Sequence, residues 1–221
     1  VGPRGARGAD HRELSLDGGR GCAKLRPHIK ASFMRSLPRW AWLAILLGLL
    51  AATALILLAM GREPICKCGS IKLWHGEVIS AENSQHISDW YTPSHIVHGL
   101  LFYGALHLLA GRLGLLPRAV IATVIEAAWE IVENTEMVIQ RYREATIALD
   151  YFGDSVLNSV SDILAMWLGF WLAAKLPVWA SVALVLAFEI GVALVIRDNL
   201  TLNVLMLLWP LDAVAEWQAA R

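Results

Sequence analysis

Three cysteines in 221 residues are too few for a disulfide scaffold. The chain also has no His-Glu-x-x-His helix, no phosphate-binding Gly-x-x-x-x-Gly-Lys loop and no Gly-x-Ser-x-Gly turn. Zinc-protease, P-loop and α/β-hydrolase chemistries therefore have no signature here. Net charge is missing too: 19 Lys and Arg offset 19 Asp and Glu. Without a whole-molecule field, no nucleic-acid partner is expected.

What the chain has is apolar length. It is 57% hydrophobic with ten Trp, its mean hydropathy is +0.52, and its apolar residues fall in unbroken runs near 40–60, 94–111, 119–139, 154–174 and 178–196. Each run is close to the roughly 20 residues that a helix needs to cross hydrocarbon. The reading is an all-α membrane protein, a bundle of about five transmembrane helices occupying residues 40–221. The final segment, RDNLTLNVLMLLWPLDAVAEWQAAR, has a short apolar core before Pro210 and fits an interfacial or re-entrant helix, with a sixth span as the alternative.

Residues 1–39 form a basic tail. Nine Arg and Lys from Arg4 to Arg39 precede the first apolar run, an asymmetry that keeps the N-terminus cytoplasmic. Residues 1–33 contain too little apolar surface to fold and are expected to be disordered. Met34 stands directly before a compact basic flank and a span, so translation is expected to start there; a basic tail that binds anionic lipid is the alternative. The run 40–60 exceeds a secretory signal core of about 7 to 15 residues, and GREPICKC offers no small-x-small cleavage site, which favours an uncleaved anchor. Cys66 and Cys68 then lie in an extracytoplasmic loop. A bridge between residues two apart is a tight ring, so two loop thiols are expected ahead of a metal clip.

Ionisable residues interrupt the spans in a pattern. Asp154, Asn158 and Asp162 lie within an arc of about 80° on one helix, and Glu126, Glu130, Glu133 and Asn134 share one face about 100° wide on another. His95 and His98 are neighbours on a third. With alternating topology, all of these sit toward the extracytoplasmic end. An acidic residue at a helix centre costs about 2.5 to 3.5 kcal/mol on the insertion scale, so such residues face a cavity or a partner.

This convergence points to a pocket with His95, His98, Glu126, Glu130, Glu133, Asp154 and Asp162 as candidate metal ligands and with Glu130, Asp154 and Arg141 as candidate catalytic residues. Two His with carboxylates suit Zn²⁺ or Mn²⁺, and an all-carboxylate subset suits Mg²⁺ or Ca²⁺. Such an ion activates water or polarises a phosphoryl or acyl group, here of an envelope lipid or lipid-linked substrate. Arg141 and Arg143 are the candidate countercharges, and their loop adds Asp150 and Tyr151. Two other classes stay open: a non-catalytic assembly or sensor protein, and a proton- or ion-coupled transporter, for which no inverted repeat is seen. Asn158 and Ser161 read as helix-packing polar groups, Trp90 as an interface anchor and His107 as an interface residue; Glu189 is evenly balanced between structure and function.

The segments DWYTPSHIVHGLLFYG, EAAWEIVEN, QRYREATIALDYFGDSVLNSVSDI and RDNLTLNVLML resemble an alphaproteobacterial family of multi-pass inner-membrane proteins of unknown function, over residues 34–218. The resemblance implies an inner-membrane location and no particular reaction. A weaker similarity is to VanZ-like membrane proteins, which are linked to glycopeptide resistance and envelope biology; Asp89 with His95, Glu126 with Glu130, and Asp154, Asn158 and Asp162 would fill their motif positions.

Overall fold

A computed structural model describes residues 37–147 and 150–220. The expected tail structure and start at Met34 lie outside the described residues. Eight helices and no strand occur among those described: α1 (Arg39–Ala59), α2 (Thr92–Leu109), α3 (Leu115–Glu133), α4 (Glu136–Ala145), α5 (Val156–Lys175), α6 (Val178–Ile196), α7 (Leu200–Leu208) and α8 (Asp212–Ala219). Three of them, α1, α5 and α6, are long and apolar enough to cross a membrane. The remaining long helices, α2 and α3, have 18 and 19 residues and carry His95, His98, Glu126, Glu130 and Glu133.

Helix boundaries follow local chemistry. Pro38 and Pro177, extended at φ −66°, stand before α1 and α6, where a missing N–H costs nothing. Ser155 caps α5, its side chain accepting from the Asn158 N–H, and Asn199 caps α7 by accepting from Leu202 N–H. The third span was expected to run to residue 139. Instead α3 ends at Glu133, and an extended Thr135 (ψ 148°) starts the separate helix α4. At nine and eight residues, α7 and α8 rise only ~14 Å and ~12 Å, too short to cross ~30 Å of hydrocarbon. Neither helix by itself makes the sixth span that the sequence left open.

Backbone contact between α2 and α5 sets the bundle. A Cβ on Gly99 would lie 2.0 Å from the Met166 carbonyl oxygen, and one on Gly169 would lie 2.0 Å from that of Ile96. Only glycine permits such an approach, the small-residue packing that membrane helices use. Around it, Ala122, Ile163, Met166 and Phe170 form the largest apolar cluster.

Between α1 and α2 the chain forms a long irregular loop. It corrects the two-thiol expectation: Cys66 and Cys68 are disulfide-bonded, their Cα atoms 5.2 Å apart. The turn that allows this ends at Gly69, in the left-handed region at φ +75°. Within it the Trp90 indole N–H donates to Gly76 O at 3.0 Å.

Gly99→Ala is expected to force α2 from α5 at an overpacking cost of about 1 to 3 kcal/mol. Thermal unfolding in detergent should show a lowered midpoint; an unchanged midpoint contradicts the backbone contact.

Candidate functional site

The expected convergence occurs. The first turns of α2, the last turns of α3 and the start of α5 meet at one end of the bundle, around a cavity of about 230 Å³ lined by His95, His98, Glu126, Glu133, Asp154 and Asp162 among others. Glu126 and Glu130 are fully buried, and Asp154 and Asp162 nearly so. The α3 spacing of four and three keeps its three glutamates on the face that α2 and α5 cover.

The acids fall into three overlapping groups that differ in how their oxygens are used. Glu126 is saturated by imidazoles: His95 Nδ1 lies 2.7 Å from its Oε1, and His98 Nδ1 lies 3.1 and 3.0 Å from its two oxygens. A carboxylate only accepts, so each ring donates to Glu126 from Nδ1. Asp154 is equally well held. Tyr151 O–H donates to its Oδ1 at 3.0 Å and Asn134 Nδ2 to its Oδ2 at 2.9 Å, while its own N–H donates to Asn134 Oδ1 at 2.7 Å. Glu133 accepts from Tyr142 O–H at 2.7 Å.

The middle group is different. Both oxygens of Glu130 and Oδ1 of Asp162 are buried without any hydrogen-bond partner. His95 stands between these carboxylates, with Nδ1 3.5 Å from Glu130 Oε1 and Nε2 3.8 Å from Asp162 Oδ2. One donor atom from each of His95, Glu130 and Asp162 lies within 4.8 Å of the others, and the same holds for His95, His98 and Glu126 and for Glu130, Glu133 and Asp154. Orphaned carboxylate oxygens in a dry interior are expensive unless a proton or cation meets them. The seven residues proposed as metal ligands from sequence are thus all brought together.

The arginines are not. Arg141 Nε donates to Leu207 O at 2.9 Å, on α7, and does not line the cavity. Arg143 Nε donates to the Tyr151 carbonyl. Both donate to backbone carbonyls, those of Leu207 and Tyr151, and neither lines the cavity. Asp150 is exposed. Glu189 resolves toward structure: its oxygens accept from the Leu200 and Thr201 N–H groups at 3.2 and 3.0 Å, capping the positive end of α7. Asn158 turns to the loop, donating to His86 O at 2.9 Å, and Ser161 bonds Leu157 O within its own helix. His107 sits beside Arg118, 3.2 Å from Nη1.

Sequence reasoning missed Tyr142, Asn203, Asn83 and Ser84, all of which line the cavity. Tyr142 and Asn203 bond each other at 3.1 Å, joining α4 to α7. Their signal was a polar residue embedded in long distinctive segments; Asn83 and Ser84 gave none, because loop residues have no periodicity. Ser84 adopts φ +58° and its N–H donates to Asp89 Oδ2. Burial raises the Asp89 carboxyl above its ordinary pKa, against the N–H groups of Tyr91 and Ser84, which lower it.

A family model described as a protein of unknown function (DUF2585) matches residues 57–220. The chain belongs to that family. It is 66% identical to a UPF0314 protein of Paracoccus denitrificans (strain Pd 1222) over 84% of this chain and 94% of the relative. A UPF0314 protein of Rhizobium meliloti (strain 1021) is 61% identical over 80% and 90%, and one of Sphingopyxis alaskensis is 53% identical over 81% and 94%. No solved structure matches. Relatives of unknown function from alphaproteobacteria are what the resemblance read from the sequence implied.

At the α6–α7 corner, Asp198 accepts from Tyr91 O–H at 3.1 Å and from Asn203 Nδ2 at 3.3 Å, and burial raises its pKa from 3.8 to about 6. The folded protein therefore holds this proton at a pH where the unfolded chain, near 3.9, has released it. Asp198 favours folding at low pH, and that contribution is lost as pH rises from about 4 to about 6. The unfolding midpoint of the wild type minus that of Asp198→Asn should fall across this window and then level; a pH-independent difference contradicts the assignment.

Proposed function

We propose that this protein is a divalent-metal-dependent hydrolase or transferase acting on an envelope lipid or lipid-linked substrate, at the outer face of the bacterial inner membrane. One observation carries the reading: Glu130 and Asp162 hold three buried oxygens without partners beside His95. A cation held there by His95, Glu130 and Asp162 would supply a partner that these carboxylates lack. Glu126, bonded to the Nδ1 atoms of His95 and His98, is then the carboxylate that orients the imidazoles and leaves Nε2 free to ligate.

The ion would activate water or polarise a phosphoryl or acyl oxygen of the substrate. Asp154 and Glu133, one group further along, border the same cavity and are the candidates to accept a proton from the attacking group. An amphiphilic substrate fits the walls. Phe102, Ile125, Trp129, Leu200 and Val204 line the cavity opposite the acids, and Ile125 and Val204 are also 45% and 40% exposed on the outer surface of the bundle. Polar chemistry thus borders directly on surface that hydrocarbon would cover.

A non-catalytic assembly or sensor role is the second reading. The Asn134–Asp154–Tyr151 frame favours it, because hydrogen-bond donors alone account for Asp154. Metal content separates the two. Detergent-purified protein should carry about one divalent ion per chain, falling by about tenfold or more in Glu130→Gln/Asp162→Asn. Negligible metal in the wild type would leave the structural role standing and remove the enzyme.

A further inference from the structure

A second ligand set lies outside the pocket, on the loop between α1 and α2. Cys66, Cys68, Glu82 and His86 each offer one donor atom, and the four atoms lie within 4.8 Å of one another. Two turns bring them together: the Cys-Lys-Cys turn after α1, and a turn on which Glu82 and His86 stand four residues apart.

The set is built rather than incidental. The His86 side chain is fully enclosed, yet its Nε2 is aimed at Glu82 Oε2, 3.0 Å away. Loop packing alone does not require an imidazole with its polar edge directed at a carboxylate and two sulfurs. The segment is held from behind: Asn158 Nδ2 donates to His86 O, Gln85 Nε2 donates to Gly153 O at 2.7 Å, and Ser155 Oγ donates to Gln85 O at 3.0 Å. The imidazole is therefore fixed independently of any ion, the preorganisation that a ligand site needs. Hydrogen bonds from Lys72 and His86 hold Glu82 as a carboxylate, with its pKa lowered to about 2. Two sulfurs, an imidazole and a carboxylate are a donor set that Zn²⁺ takes tetrahedrally.

In the structure the two sulfurs are bonded to each other. We propose that reduction of the Cys66–Cys68 disulfide opens a site for a borderline divalent cation such as Zn²⁺, with Cys66 Sγ, Cys68 Sγ, His86 Nε2 and a Glu82 oxygen as ligands. A dithiol reductant supplies two electrons and two protons; the S–S bond breaks, two thiols form and the dithiol becomes a disulfide. Cation binding then releases both thiol protons. For Nε2 to ligate, the imidazole proton moves to Nδ1, and the Lys72 N–H, which donates to Nδ1 at 3.3 Å in the oxidised loop, turns away from the ring. Ser84, between the two turn ligands, lines the pocket.

Co²⁺ is the probe, because thiolate ligation gives a charge-transfer absorption that the sulfur-free pocket cannot produce. Full-length protein in detergent, reduced with a phosphine and freed of reductant, should develop this band and saturate at about one equivalent of Co²⁺, with Zn²⁺ abolishing it. The unreduced protein should show none. Cys22→Ser should retain the band and Cys66→Ser should lose it, while His86→Gln and the more exposed Glu82→Gln should each weaken Co²⁺ binding about tenfold or more. Absence of the band in reduced wild type overturns the proposal. So does unchanged Co²⁺ affinity in both His86→Gln and Glu82→Gln, since two thiols alone would then account for the binding.

Discussion

Gly99 and Gly169 allow α2 and α5 to meet backbone to backbone, and the pocket geometry follows from that contact. Ile96 and Met166, whose carbonyls occupy the space where side chains would otherwise stand, are one and four residues from His95 and Asp162. With the axes this close, His95 Nε2 comes within 3.8 Å of Asp162 Oδ2. Helices separated by ordinary side chains would sit about 8–10 Å apart and leave the two groups without a common partner. α3 then closes over the crossing, bringing Glu126 to both imidazoles and Glu130 to the gap between α2 and α5.

Charge is the second constraint. Five carboxylates face one another at this end, and the ion pairs formed with them come from His95 and His98. The structure treats the acids unequally. Glu126 and Asp154 are locked by donors, Glu133 by a tyrosine, and Glu130 and Asp162 keep unused oxygens. That inequality gives the proposed reading a specific location, the gap between Glu130 and Asp162 beside His95. The loop above, with its own sulfur and imidazole donors, bonds through Gln85 and His86 to the start of α5. These bonds hold the loop against the residues that flank Asp154 in the chain.

Much of the site was legible before any coordinates. Helical spacing alone placed Glu126, Glu130 and Glu133 on one face and Asp154 and Asp162 on another, and the depth of each along its span set them at one level. The partners of Arg141 and Arg143 were not legible, because charge complementarity in a sequence does not say whether a guanidinium meets a carboxylate or a carbonyl; here they donate to the Leu207 and Tyr151 carbonyls. Glu189 was undecided for the same reason, since capping α7 requires a helix start whose position is fixed only by folding. Tyr142 and Asn203 went unremarked because neither polar residue is costly enough in a short amphipathic helix to demand an explanation.

The sequence by itself determined the solvent and the periodicity: runs of apolar residues of bilayer length, helices as the only local structure that satisfies their backbone there, and the costly ionisable residues on particular faces. Tertiary structure decided which oxygens go unpaired, that Cys66 and Cys68 meet, and that Glu82 and His86 join them. These are relations between segments distant along the chain, and periodicity carries no information about distance across it. They follow instead from the closeness of one helix crossing and the path of one loop.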